Sequence, residues 1–378
     1  MASFRTFLVA AAATLILGGC AGRPSADVLD PVAPVAGLKL RTIYAASTRT
    51  PESGRPTAFT DGRSSAVSYA RYVISIPPGH RAGSIEWPKA KADPATSFAV
   101  IASTPLSEAR FVAETTAAAA RARGPRRDVA LFVHGYNYNF QESLFRLAQM
   151  EADADVGGAA VVFAWPSKAA LAGYVADKES VTFSRDGLSR VVTLLTEAPG
   201  SGGVTLVGHS MGGWLTMEAI RQLRLQRSDD AVRKLNDVVL AAPDIDVDVF
   251  RQQLRVIGRL QRPITLLVSK DDKALAASRL LSGDRGRVGA LDVDDPAIHE
   301  AARAEGVRVV DISQLASENG SDHDRYTALA AIYPKLQSQL AGGSSAGVSR
   351  AGVFILDAAA STISSPFRIA GQALRGRQ

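Results

Sequence analysis

Cysteine is almost absent: the 378 residues hold one, Cys20, so no internal disulfide can staple the fold. Histidine is nearly as scarce, at five, and none of the five falls in a metal-ligand spacing; no metal and no other cofactor is expected. A glycine-rich phosphate loop is missing as well. Aromatics make up 6% of the chain, the net charge is only +6, and Lys and Arg form no block. Nucleic-acid binding, which needs a basic stripe interleaved with aromatics, is thereby excluded. No internal repeat is visible. Long apolar runs are lacking too, because the run at residues 7–17 (FLVAAAATLIL) is too short to span a bilayer as a stable helix.

That short run is flanked as a targeting signal is, with Arg5 before it and LGGC at residues 17–20 after it. A lipobox of this kind ends on a cysteine whose thiol takes the lipid, so residues 1–19 read as a lipoprotein signal peptide and Cys20 as the lipidation site. Ala21 follows instead of Asp, the pattern for transfer to the outer membrane. The expected location is the bacterial cell envelope, lipid-anchored, on the outer membrane facing the periplasm. Cleavage would remove Arg5 alone among the charged residues and lower the formal charge from +6 to +5, compatible with anionic headgroups. Residues 20–37, rich in Pro and Ala, read as a tether; residues 38–340 as one large domain. Residues 341–378 read as a Gly/Ser hinge and a tail. In that tail Ala360, Ile363, Phe367, Ala370 and Leu374 share a helical face that Pro366 interrupts. The tail is expected to pack on the domain or to lie disordered, with a membrane-surface helix as the alternative.

The main domain alternates short apolar runs with helical periods. Strands are expected at 38–47 and 69–76, then a helix over 109–123, then strands near Leu131, Val161, Val207, Val238, Ile264 and Val307. Helices are expected from Phe140, Glu179, Met211, Val247, Ala274 and Arg325. Such alternation predicts an α/β fold, with a mostly parallel central sheet, helices on both faces, and the first two strands as an antiparallel edge.

Residues 208–212 read GHSMG, a G-x-S-x-G pattern between the β-branched run GVTLV and a helical apolar run. Strand, tight turn and helix of this kind set a nucleophilic serine at the turn apex, here Ser210. A Cβ at Gly208 or Gly212 is expected to collide with neighbouring strand and helix, and the serine backbone is expected to be strained. Acid and base follow such a serine in chain order, which leaves His299 and His323 as bases. His299 lies in a polar helix-forming stretch. His323 lies in the loop SENGSDHDRY between the last expected strand and helix, and is the expected base. For the acid, the strand at 263–268 opens into Asp271 and Asp272, whose side chains must diverge in an extended segment. Asp272 is chosen, with Asp271 and Asp244 as alternatives; each aspartate has a competing use as a helix N-cap. The oxyanion hole would come from the main-chain N–H groups of Met211, after the serine, and Tyr136, in the HGYN turn after strand VALFV. Asn137, Tyr138 and Trp165, at the same strand ends, are candidate pocket residues. His134 and His209 are expected to pack.

With these pieces in place the chain resembles the α/β-hydrolase superfamily, and more narrowly a bacterial family of uncharacterised esterase/lipase-like hydrolases. The segments that carry the resemblance are 76–88 (IPPGHRAGSIEWP), 131–140 (LFVHGYNYNF), 161–167 (VVFAWPS), 207–213 (VGHSMGG), 241–246 (AAPDID), 268–275 (VSKDDKAL) and 323–326 (HDRY). One departure is the HGYN turn in place of a glycine-rich HGGG-type loop. The expected function is a membrane-anchored serine hydrolase acting on a small ester or lipid. A thioesterase or peptidase would use the same triad, and a catalytically silent envelope lipoprotein would use the fold for binding alone.

Overall fold

The computed structural model describes residues 23–88, 91–122, 128–155, 158–317, 320–329 and 354–356. Cys20, the signal segment and most of the tail lie outside the described residues.

The first described strands form a long hairpin, β1 (Lys39–Glu52) and β2 (Arg55–Ile76), closed by a turn in which Gly54 takes φ +75°. β3 (Ala99–Leu106) follows, then α1 (Glu108–Ala120), β4 (Val129–Val133), α2 (Phe140–Ala154), β5 (Ala159–Ala164) and α3 (Tyr174–Glu197). The elbow unit comes next, β6 (Val204–His209) and α4 (Met211–Leu225), with a short α5 (Asp229–Arg233). β7 (Leu235–Ala241), α6 (Val247–Ile257), β8 (Thr265–Val268), α7 (Lys273–Leu281), α8 (Pro296–Glu305), β9 (Arg308–Asp311) and β10 (Phe354–Leu356) complete the described elements. Helix starts obey local chemistry. Ser107, Asp246, Asp272 and Asp295 each cap a helix with a side-chain oxygen, and Asn139 and Glu142 form a reciprocal capping box at α2.

All the described strands join one sheet in the order β10-β9-β8-β7-β6-β4-β5-β1-β2-β3. The run from β9 to β1 is parallel, whereas β2, β3 and β10 pair antiparallel with their neighbours. Alternation then sends successive side chains to opposite faces. Leu131, Val133, Val161 and Phe163 join one core with α1, α3 and α4, while Phe132, Val162 and Ala164 join the other with α2. The mostly parallel α/β expectation holds.

Three expectations need correction. The antiparallel edge has three strands, because residues 99–106 form β3, and β1 and β2 run well past the expected ends by means of register shifts around Arg49 and Pro51. α3 begins at Tyr174, five residues before Glu179. The tether is not free after residue 22: Ala26–Leu29 form a 3-10 turn with Val28 and Leu29 buried, and Arg23 bonds to Asn137 and Glu142. Phe354–Leu356 of the tail add a strand to the β9 edge, and the last helix begins at Tyr326 with residues 326–329 described.

Candidate active site

Ser210 follows β6 at the carboxyl edge of the sheet with φ 54° and ψ −123°, in the left-handed region that a side chain seldom enters. Such a conformation costs about 1–3 kcal/mol and persists only where its surroundings enforce it. Here the Ser210 N–H donates to Ala241 O (2.9 Å), and its carbonyl accepts from Gly213 N (2.9 Å) and Asp244 N (3.2 Å). The flanking glycines allow the close approach. A Cβ on Gly208 would lie 2.6 Å from Thr216 Oγ1, and one on Gly212 would fall against the carbonyl oxygens of Val133 and His134. Gly135 is equally confined, since a Cβ there would lie 2.9 Å from Ser210 Cβ.

Asp272 and His323 meet although 51 residues separate them: the imidazole Nδ1 lies 2.6 Å from Asp272 Oδ2. The carboxylate is acceptor-only when ionised, so Nδ1 carries the proton and donates, which leaves Nε2 as the unprotonated ring nitrogen of the neutral imidazole. Asp272 is buried and its second oxygen, Oδ1, accepts from Leu275 N at 2.9 Å. Capping α7 and orienting His323 are therefore not competing roles; one carboxylate does both. The His323 loop is tied to the same helix end by Lys273 N–H donating to Ser321 O at 3.0 Å.

The alternative acids are engaged elsewhere. Asp271 turns away from Asp272 and takes both guanidinium nitrogens of Arg325, at 2.9 Å for Nη2 to Oδ2, and Ser269 Oγ at 2.7 Å. The Arg325 hydrogen bond outweighs desolvation and holds its pKa down at about 2. Asp244 is buried against Tyr174 Oη (2.9 Å), Ser278 Oγ (2.6 Å) and Arg287 (3.2 Å). Neither carboxylate faces His323. His299 sits on α8, the helix expected of its stretch, with Nε2 bonded to Val293 O.

His209 is buried beside the elbow, its ring 4.7 Å from that of His323 and 4.4 Å from that of Tyr326, and its Nε2 lies 3.2 Å from His323 O. Burial first, then the neighbouring His323, hold it well below the ordinary imidazole range, so it is neutral and its Nε2–H can donate to that carbonyl. His134 is likewise buried, stacked on Trp165 at 4.9 Å, with burial and the nearby Arg49 charge bringing its pKa to about 3.

The HGYN turn is held by residues the sequence did not single out. Arg49, fully buried on β1, donates to Tyr138 O (2.8 Å), Ser167 O (3.3 Å) and Thr60 O (3.3 Å). Asp177 on α3 accepts from Ser167 Oγ (2.6 Å), Lys168 N (2.7 Å) and Asn137 N. These two hold Tyr138 and Asn137 from two sides, and they escaped notice because nothing in the local sequence marks them as buried. Asn137 itself takes φ 64°.

Trp165 is not a pocket residue: it is fully buried, and its indole N–H donates to His134 O at 2.7 Å. Asn137 receives Arg23, and Tyr138 stacks on His134. The cleft that does open beside Met211 has a volume of about 60 Å³ and is lined by Tyr174, Trp214, Ile245, Val249 and the Asp244–Arg287 pair. Lys178 stands at this cleft, 5.5 Å over the Trp214 ring. Among the described residues no group of three or more His, Cys, Asp or Glu could hold a metal ion.

The fold and the elbow define an α/β hydrolase. A family model described as "Alpha/beta hydrolase of unknown function (DUF900)" matches residues 110–341, and the chain belongs to that family. A solved acetylxylan esterase is similar at 12% identity, over 55% of this chain and 97% of that one, with a TM-score of 0.30. No curated protein matches.

Proposed function

We propose that this hydrolase is a serine esterase that works through an acyl-enzyme and is held at the envelope by a lipid on Cys20. Ser210 attacks the ester carbonyl as His323 Nε2 takes its proton, Asp272 keeps Nδ1 protonated and steadies the imidazolium, and the N–H groups of Tyr136 and Met211 stabilise the oxyanion. His323 then passes the proton to the leaving alcohol, and water releases the acyl group by the same route in reverse. The observation that carries the reading is the 2.6 Å contact of His323 with Asp272 near the elbow, in the chain order serine, aspartate, histidine. The substrate is a small ester or a lipid.

Labelling by a fluorophosphonate probe tests the nucleophile: wild type is expected to label and Ser210→Ala to remain unlabelled. Equal labelling of both would move the nucleophile elsewhere. For the lipid, Cys20→Ala is expected to block signal processing or to release the protein from membrane fractions. A soluble form should begin near Arg23, not at Leu38, because Val28 and Leu29 are buried in the domain. A Cys20→Ala protein that is processed normally and resists high-salt extraction from membranes would refute the anchor.

A further inference from the structure

Only four described large hydrophobic side chains are more than two-thirds exposed: Leu171 (72%), Val175 (71%), Leu280 (75%) and Leu281 (69%). They are not scattered. Tyr174, beside Val175, meets Ser278 of α7 at 2.8 Å, so the two exposed pairs occupy two segments joined by one hydrogen bond. The same Tyr174 lines the cleft beside Met211. Exposed apolar side chains on the segments beside such a cleft call for an apolar partner.

The described N-terminal segment ends at this same face. Arg23 donates to Asn137 O (2.9 Å), Asn137 Oδ1 (2.7 Å) and Glu142 Oε2 (2.9 Å). Asn137 follows Tyr136, whose hydroxyl donates to Ala170 O (3.1 Å) and to Leu171 O. Cys20 stands three residues before Arg23, and three residues of extended chain reach at most about 11 Å. A lipid on Cys20 would then hold the backbone of Arg23, whose guanidinium grips the HGYN turn, within that distance of its attachment point.

We infer that the protein lies with the mouth of its serine site against the bilayer, Leu171 and Val175 seated among the lipids. The inference rests on the proposed lipid at Cys20. It makes the substrate one delivered from the membrane, a lipid-borne ester, and turns the segment after Cys20 from a long leash into a short clamp.

The sole cysteine supplies a clean test, because lipidation consumes it and a second cysteine then labels alone. Full-length protein carrying Leu171→Cys, Val175→Cys or Leu225→Cys is labelled with an environment-sensitive dye and reconstituted in vesicles of phosphatidylethanolamine and phosphatidylglycerol containing a doxyl-lipid quencher. Leu225 ends α4, about 22 Å from the elbow by helix rise, and is the distant control. Dyes at 171 and 175 are expected to be quenched and blue-shifted, and the dye at 225 to report water. A lipidated protein whose dyes at 171 and 175 behave like the one at 225 overturns the orientation alone. Wild type that takes the dye at Cys20 shows the anchor itself to be wrong, and the inference falls with it. The pair Leu171→Glu and Val175→Glu is expected to slow turnover of a vesicle-borne ester by about tenfold or more, with a water-soluble ester hydrolysed within about twofold of wild type. Unchanged turnover of the vesicle-borne ester would count against the proposal as firmly as unquenched dyes.

Discussion

Two sides flank Ser210, and they are built differently. On one side Asp271 and Asp272, consecutive in the chain, point apart: Asp272 turns inward to cap α7 and hold His323, and Asp271 turns outward to Arg325 two residues further on. The pair grips a single loop at two points by short-range charge contacts. On the other side Arg49 on β1 and Asp177 on α3 hold the HGYN turn, and each bonds to neutral carbonyl, N–H or hydroxyl partners instead of to an opposite charge in the turn. In the proposed mechanism the first side presents a side chain that must carry a proton; the second presents main-chain N–H groups that need only hold still. A titratable group needs a charged partner in the right tautomer, and a main-chain donor needs rigidity, so each side has the support its chemistry requires.

Breaking the comparison at its centre gives the largest effect. Ser210→Ala and His323→Ala are each expected to lower ester hydrolysis by about four to six orders of magnitude while the far-ultraviolet circular dichroism stays unchanged. Next comes the aspartate pair. Asp272→Asn is expected to cost about four orders in kcat, because an amide favours the wrong imidazole tautomer, and Asp271→Asn no more than about tenfold. Equal losses from the two would mean that the loop grip, not the tautomer, sets the rate. Arg49→Met tests the other side: it is expected to cost about 10²-fold in kcat with little change in the pH profile, and to lower stability by about 1–3 kcal/mol for each buried carbonyl left without its donor. A pH profile displaced in Arg49→Met would mean that the turn influences the base.

The smallest effect lies far from the serine and concerns pH. His80 sits between Glu86 (2.8 Å) and Asp153 (2.9 Å), with the Phe98 ring at its edge. Burial disfavours its charge, but the hydrogen bonds it donates to Asp153 and Glu86 together outweigh that and raise its pKa. A raised pKa stabilises the fold below the unfolded value of about 6.5, and the stability is lost as pH rises through the folded value. The gap in melting temperature between wild type and His80→Gln is thus expected to be wider at about pH 5.5 than at about pH 8.5. A gap that widens with alkalinity would show that His80 is held neutral.

Much of the first side could be read from the sequence. GHSMG between a β-branched run and an apolar helix, an aspartate pair after a strand and a histidine in the last loop are local signals, and alternation fixed the divergence of Asp271 from Asp272. The competition between capping and orienting was misjudged because a carboxylate has two oxygens and sequence reading allotted it one partner. The second side was legible only as a turn. Arg49 reads as one more arginine in RTIYAASTRT, and it is buried only because β1 continues past Ser47 through register shifts that Pro51 and Gly54 disguise as a loop. Asp177 was missed with the start of α3, and Trp165 was given to a pocket because its strand end, not its stacking on His134, was what the sequence displayed.

The parallel pairing of β1 with β5 sets the limits of what can be cut away. Residues 110–341 match the family, yet β1, β2 and β3 all lie before residue 110. Without them β5, whose six residues are all buried, would become a bare apolar sheet edge, open to pairing with any other chain. The antiparallel hairpin is in this sense the protein's guard against aggregation as well as the source of Arg49. A chain started at residue 110 is expected to form inclusion bodies before any question of catalysis arises.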